Sequence, residues 1–128
     1  MTAHAAFGTA AGRTLAAIRI ANGALGLVAP QVLVKRTSTD PATVEPYYAF
    51  RMFGIRTIVL GLDLLTLTGA AQDRARAQAV VVHATDTACA ALGGLRGDLT
   101  PRAARTTVAI SAVNTVLAVV AHRASTQK

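Results

Sequence analysis

The sequence predicts an all-α protein, a single domain folded as a bundle of four transmembrane helices. Three observations favour this fold. The 128 residues are 52% hydrophobic and only 15% charged, whereas a soluble domain carries about 25% charged residues. Four long apolar stretches are separated by short polar intervals, and each is close to the roughly 20 residues that a membrane helix needs. Alanine and leucine dominate these stretches, which show little of the alternation typical of strands.

The four predicted spans, in chain order, are 14–34, 47–69, 75–95 and 104–122. The interval from Lys35 to Pro46 has the proline-rich, polar composition of a loop. We expect the second interval to be a tight turn around Gln72 to Arg76, and the third to be a turn over Gly97 to Pro101. An even number of spans places both termini on the same side of the membrane, for which we favour the cytoplasm.

Polar and small residues of the first span share one helical face, with spacing i, i+3, i+4 and i+7: Arg19, Asn22, Gly23 and Gly26. The fourth span repeats this division, with Thr107, Ser111 and Asn114 on one face and Ile110, Val113 and Leu117 on another. Helices of this kind hide polar groups against each other and present aliphatic residues to lipid. A soluble helical bundle stays open as the alternative, because no uncharged run reaches about 18 residues.

Aromatic residues crowd the start of the second span, where Tyr47 and Tyr48 are expected at the level of the lipid headgroups. Arg51 beside them can extend to the same interface. Basic residues are divided evenly between the two predicted sides of the membrane, so charge does not fix the orientation. The net charge of +7 suits anionic lipids. It does not predict nucleic-acid binding, because the basic residues are scattered and aromatic residues are few.

Seven polar residues interrupt the predicted spans and form the candidate intramembrane cluster: Arg19, Asn22, Arg56, Asp63, His83, Asp86 and Asn114. Depth along the helices, at about 1.5 Å per residue, places Arg19, Asp63, His83 and both asparagines in one layer. The same count pairs Arg56 with Asp86 in a second layer. Such residues mark either a packing device or a functional site.

Three interpretations of this cluster stay open. It either joins the helices by hydrogen bonds or forms a polar chamber for a proton, ion or lipid headgroup. As an enzyme, the protein would use His83 and Asp86 as acid and base. No catalytic nucleophile or metal motif supports that third interpretation, so we expect no enzyme activity, metal or cofactor. Cys89 lies among small apolar residues and is expected to serve in packing.

Glycines are expected to bring helices into close contact, with Gly23 and Gly26 in the first span and Gly54 and Gly61 in the second. Gly54 also belongs to a motif, Arg-x-x-Gly-x-Arg from Arg51 to Arg56, followed by Gly61 and by Asp86 in the next span. On this motif the chain resembles a family of small, uncharacterised bacterial membrane proteins with four helices. The resemblance implies the architecture and no activity.

The sequence therefore predicts a multi-pass protein of the cell membrane, acting as an accessory or scaffolding subunit of itself or of a larger assembly. The alternative is a binding or transport module for a small lipid-like or protonatable ligand. Size favours the accessory role, because four helices leave little room for a pathway unless the protein forms oligomers.

Overall fold

Pro30 divides the first predicted span into two helices. In the computed structural model, which describes residues 3–37 and 45–126, α1 covers Ala3–Val28 and α2 covers Pro30–Thr37. Their axes differ by 99°. A proline lacks the backbone N–H that the helix needs, and its ring disfavours a helical conformation at the preceding residue, here Ala29. The prediction of one continuous helix over 14–34 was therefore wrong.

Three long helices follow: α3 is Glu45–Thr66, α4 is Gly69–Arg96 and α5 is Pro101–Thr126. The described residues contain helices and short connections only, which confirms the all-α prediction. The predicted turn around Gln72 to Arg76 was wrong, because those residues lie inside α4 and the connection is Leu67–Thr68. The central part of the predicted first interval, 38–44, lies outside the described residues.

The connection between α4 and α5 follows the predicted turn at Gly97 to Pro101. Gly97 adopts a left-handed conformation with φ of 80°, and its N–H bonds to the carbonyls of Gly93 and Gly94 at the end of α4. A residue without Cβ adopts this conformation without steric cost. Thr100 then accepts a hydrogen bond from the backbone N–H of Ala103 and caps α5.

Close contact between α1 and α3 depends on glycine. A Cβ atom on Gly23 would lie 2.6 Å from the carbonyl oxygen of Gly54, and one on Gly54 would lie 2.7 Å from the backbone nitrogen of Leu27. Gly26 and Gly61 face the opposite helix at similarly short range. Because no side chain intervenes, the two backbones touch. We call this contact, formed by Gly23, Gly26, Gly54 and Gly61, the glycine seam.

The helices surround a core of small residues. α1 packs on α3 and α5, and α5 packs on α4, while α3 and α4 meet only sparingly. The buried apolar cluster consists of Leu15, Ala16, Leu64, Ala75, Ala79 and Ala118. Many large apolar side chains lie outside it, including Val28 at 79% exposure and Leu95 at 87% exposure. The bundle thus exposes much of its aliphatic surface.

Within the described residues, one helix, α5, is by itself long and apolar enough to cross a membrane. The bent pair of Ala5–Val28 and Pro30–Thr37 meets the same criterion when taken together. α3 and α4 carry more charge and do not meet it.

Candidate functional site

Arg19 and His83 form the centre of the candidate site. The Nε of Arg19 donates a hydrogen bond of 2.9 Å to Nε2 of His83. Arg19 on α1 is only 3% exposed and His83 on α4 is 6% exposed. These two helices are connected here by a charge-assisted hydrogen bond, the stronger kind. Both residues belong to one predicted layer, and in the structure they are in contact.

The hydrogen bond defines the protonation of His83. An arginine nitrogen can only donate, so Nε2 of His83 must be the unprotonated acceptor. The imidazole is therefore neutral and carries its proton on Nδ1. That nitrogen lies 3.8 Å from Oδ2 of Asp86, one turn further along α4. His83 consequently lies between the cation of Arg19 and the carboxylate of Asp86.

A cavity of about 190 Å³ lies beside this contact and is lined by residues from all five helices. Its polar lining includes Arg19, Asn22, His83, Asp86, Ser111 and Asn114, and its apolar lining includes Leu33, Phe50, Phe53 and Ile110. Asn114 and Ser111 are both buried on α5. The lining therefore combines polar and apolar side chains, which is the usual character of a small-molecule site.

The bend at Pro30 contributes directly to this cavity. It turns α2 so that Leu33, Arg36 and Thr37 join the lining. The straight helix predicted over 14–34 would have kept Leu33 along the axis of α1. The site thus depends on the break that the sequence analysis missed.

A second cavity, of about 490 Å³, adjoins the first and shares lining residues with it. Both cavities are lined by Phe50, Phe53, Asp86 and Ser111. The second cavity lies between the start of α3 and the last part of α4, where these helices have few contacts. Its lining includes Cys89, which is exposed rather than packed as the sequence analysis expected.

Two members of the predicted cluster lie elsewhere. Arg56 is exposed on α3, and among the described residues it forms no ion pair, so the predicted pair with Asp86 is absent. Asp63 lines a separate pocket near the junction of α3 and α4, together with Arg74 and Gln78. Equal depth along two helices does not ensure contact, because residues at one height can point in different directions.

The residues assigned to the membrane interface lie at the start of α3. Tyr48 is 71% exposed and Arg51 is also exposed, while Tyr47 is half-buried. Phe50 and Phe53 follow on the same helix and line both cavities.

Several residues that line the cavity were not predicted from the sequence: Arg36, Thr37, Phe50, Phe53, Thr57 and Ser111. A signal was present for Ser111, since it shares the polar face of α5 with Thr107 and Asn114. Arg36 and Thr37 had no such signal, because their position depends on the direction of α2 after the bend.

The side chains at the site offer several groups that can bind a ligand. Arg19 supplies a buried cation, Asn22 and Asn114 supply amide groups, and Ser111 supplies a hydroxyl group. Among residues 3–37 and 45–126, no three His, Cys, Asp or Glu side chains are arranged to hold a metal ion. Arg19 and Asp86 are not paired directly, since no salt bridge joins them within 4.0 Å.

Comparisons with protein-family models, with curated protein sequences and with solved structures find no match to this chain. The family resemblance inferred from Arg51 to Gly61 accordingly stays a prediction.

Proposed function

We propose that this protein is a four-span membrane protein whose polar interior binds a small lipid-like ligand. The observation that carries the proposal is the inverted placement of side chains. Arg19, His83 and Asn114 are buried, whereas Val28, Leu95 and Val116 are among the exposed aliphatic residues. A protein dissolved in water would gain free energy by the opposite arrangement, whereas lipid favours this one.

The length and surroundings of the helices support membrane insertion. At about 1.5 Å per residue, each of the four long helices exceeds the roughly 30 Å of a bilayer core. Only 22% of the most apolar window of α5 is buried inside the protein. A core helix of a soluble bundle would bury most of such a window, so lipid is the better solvent for α5.

The mixed lining of the cavities supports the binding of a lipid-like ligand. Phe50 and Phe53 line both the first cavity and the larger second cavity, beside the sparse contact of α3 and α4. Phe53 is 46% exposed, so this apolar part of the lining reaches the surface that lipid would cover. A ligand with a polar head and an apolar chain matches the polar and the apolar residues of the lining.

Membrane insertion is tested by washing isolated membranes with alkaline carbonate and following the full chain by immunoblot. We expect the chain to stay with the membrane pellet. Release into the soluble fraction would contradict the proposal. Reporter fusions at the two termini provide a second test, because four spans require both reporters on one side.

Ligand binding is tested by native mass spectrometry of the purified chain in mild detergent. We expect a retained small molecule at one copy per chain. The matched variant is Ser111→Leu, which places a larger apolar side chain in the lining of both cavities and should reduce retention. Retention that is equal in both proteins would contradict binding in the cavity.

The accessory role predicted from the sequence leads to a different expected result in the same experiment. A scaffolding subunit should be recovered with a second protein chain at fixed ratio and without a bound small molecule. A protein partner in place of a ligand would therefore favour that role over the proposed one.

A further inference from the structure

The buried guanidinium of Arg19 has unused hydrogen-bond donors. Its Nε bonds to His83, and among the described residues its two terminal amino groups have no hydrogen-bond partner. These groups carry four N–H bonds. The cavity of about 190 Å³ is the space next to them, since Arg19 is part of its lining. Because Arg19 is only 3% exposed, its guanidinium has lost most of its contact with solvent, and an acceptor in the cavity would satisfy these donors.

The charge of Arg19 also lacks a direct counter-charge. Among the described residues no carboxylate lies within 4.0 Å of its guanidinium. The nearest acid in the site, Asp86, contacts His83 at 3.8 Å and is half exposed. A second cation, Arg36, also lines the cavity. Two arginines and one aspartate leave the lining with an excess positive charge, so the missing acceptor should be an anion.

The composition of the lining restricts the rest of the ligand. Asn22, Ser111 and Asn114 line the same cavity as Arg19, where they can bind further oxygen atoms of a headgroup. Phe50 and Phe53 line both cavities, and Ala90 and Leu99 add to the apolar lining of the second. An apolar chain attached to the headgroup would lie along these residues.

We propose that Arg19 binds the oxyanion headgroup, a carboxylate or phosphate, of an amphipathic molecule with one apolar chain that lies against Phe50 and Phe53. This inference rests on the proposed ligand-binding function and names the chemical class of the ligand. The planar guanidinium matches two oxygen atoms of such a group. His83 acts as a positioning residue, because its bond to Nε holds the fork of Arg19 toward the cavity.

Cys89 provides a probe of occupancy without any engineered label. It is the single cysteine of the chain, is exposed and lines the second cavity. The experiment measures the rate at which N-ethylmaleimide alkylates Cys89 in the purified chain in non-ionic detergent. Four probes are added in turn: decanoate, decyl phosphate, decanol and inorganic phosphate.

We expect decanoate and decyl phosphate to slow alkylation at concentrations at least about tenfold below those required for decanol. The alcohol lacks the negative charge and the second oxygen atom that the guanidinium can bind. Inorganic phosphate should give no protection, because it lacks the chain.

Equal protection by decanol and decanoate would overturn the headgroup assignment and leave the proposed binding function standing. Protection by inorganic phosphate alone would overturn the requirement for a chain. No protection by any probe, with no retained molecule in the mass spectrum, would overturn both proposals.

The residue assignment is tested by Arg19→Gln, with Arg56→Gln as the matched control on an exposed arginine outside the cavity. In Arg19→Gln, we expect the decanoate concentration that protects Cys89 to rise at least about tenfold. The decanol concentration that protects Cys89 should stay unchanged. Arg56→Gln should behave like the unaltered chain. The comparison of headgroups uses the unaltered protein, so it decides the proposal even where Arg19→Gln fails to fold. Full protection of Arg19→Gln by decanoate would overturn the role of Arg19.

Discussion

The two sides of α1 are built in opposite ways. Toward α3, the glycine seam brings the two backbones into direct contact. The distance between Gly23 and Gly54 is too short for a side chain to fit between them. Toward α4, the connection is one long arginine side chain that reaches His83, and a cavity remains beside it. Small residues therefore close one side of the bundle, whereas long polar residues hold the other side open. We expect the bundle's stability to depend more on the first side, whereas its proposed function depends on the second.

The glycine seam should be the more sensitive side. Gly54→Ala places a Cβ atom 2.5 Å from the carbonyl oxygen of Gly23 and 2.7 Å from the backbone nitrogen of Leu27. Backbone cannot move aside as a side chain can, so we expect a loss of about 3 kcal/mol in the free energy of unfolding. Unfolding by sodium dodecyl sulfate in mixed micelles measures it. Gly12→Ala is the control, because its Cβ would lie 3.6 Å from that of Ala121 and should be tolerated.

The open side should respond less strongly. His83→Leu removes the acceptor of the Arg19 hydrogen bond and leaves a buried cation without a partner. We expect a loss of about 2 kcal/mol in the free energy of unfolding, since bonds to charged groups are worth about 1.5–3 kcal/mol. The same unfolding assay applies. Asp86→Asn is the control, because its 3.8 Å contact is long and half exposed. A greater loss from Asp86→Asn than from His83→Leu would reverse the assignment of the central contact.

A weaker polar contact joins α4 and α5. The hydroxyl groups of Thr87 and Thr115 lie 3.2 Å apart. Thr87→Val keeps the shape of the side chain and removes the hydroxyl. We expect about 0.6 kcal/mol of destabilisation, the average for hydrogen bonds between membrane helices. A double-mutant cycle with Thr115→Val isolates the pair, and additive losses would show that the two hydroxyl groups are not bonded.

The smallest effect should come from the pair that sequence depth alone proposed. Arg56 is exposed on α3 and forms no ion pair within the described residues, whereas Asp86 faces the cavity. We therefore expect Arg56→Leu and Asp86→Leu to act independently, with an interaction energy below about 0.5 kcal/mol in a double-mutant cycle. A coupling of several times that size would require the two side chains to meet, and would contradict the structure.

The different outcomes for Arg19 and Arg56 show what the sequence could reveal. Depth along a helix follows directly from residue number, and it placed Arg19 and His83 together. The direction in which each side chain of α3 points around the helix axis also follows from residue number, but the predicted pair of Arg56 and Asp86 rested on depth alone. Gly54 faces α1, and Arg56 stands two residues later, about 200° around the axis. The exposure of Arg56 follows from that angle.

The lining of the cavity could not be predicted in this way, because it depends on how the helices are placed relative to one another. The proline at position 30 indicated a break, but not that α2 would turn by 99° across the bundle. Arg36 and Phe50 therefore could not be assigned to the cavity from their own surroundings in the sequence. The spacing of small and polar residues predicts which face of a helix is buried. It does not predict the space left between faces.

The contact between Arg19 and His83 has a consequence for biosynthesis. The two residues are separated by 64 positions in the chain. At a synthesis rate of about 5–20 residues per second, Arg19 emerges roughly 3 to 13 seconds before His83. During that interval the nascent first helix carries a cation whose acceptor has not yet been made. Any chain that terminates before α4 would keep Arg19 in this state permanently, and we expect cellular quality control to degrade such fragments faster than the full-length protein.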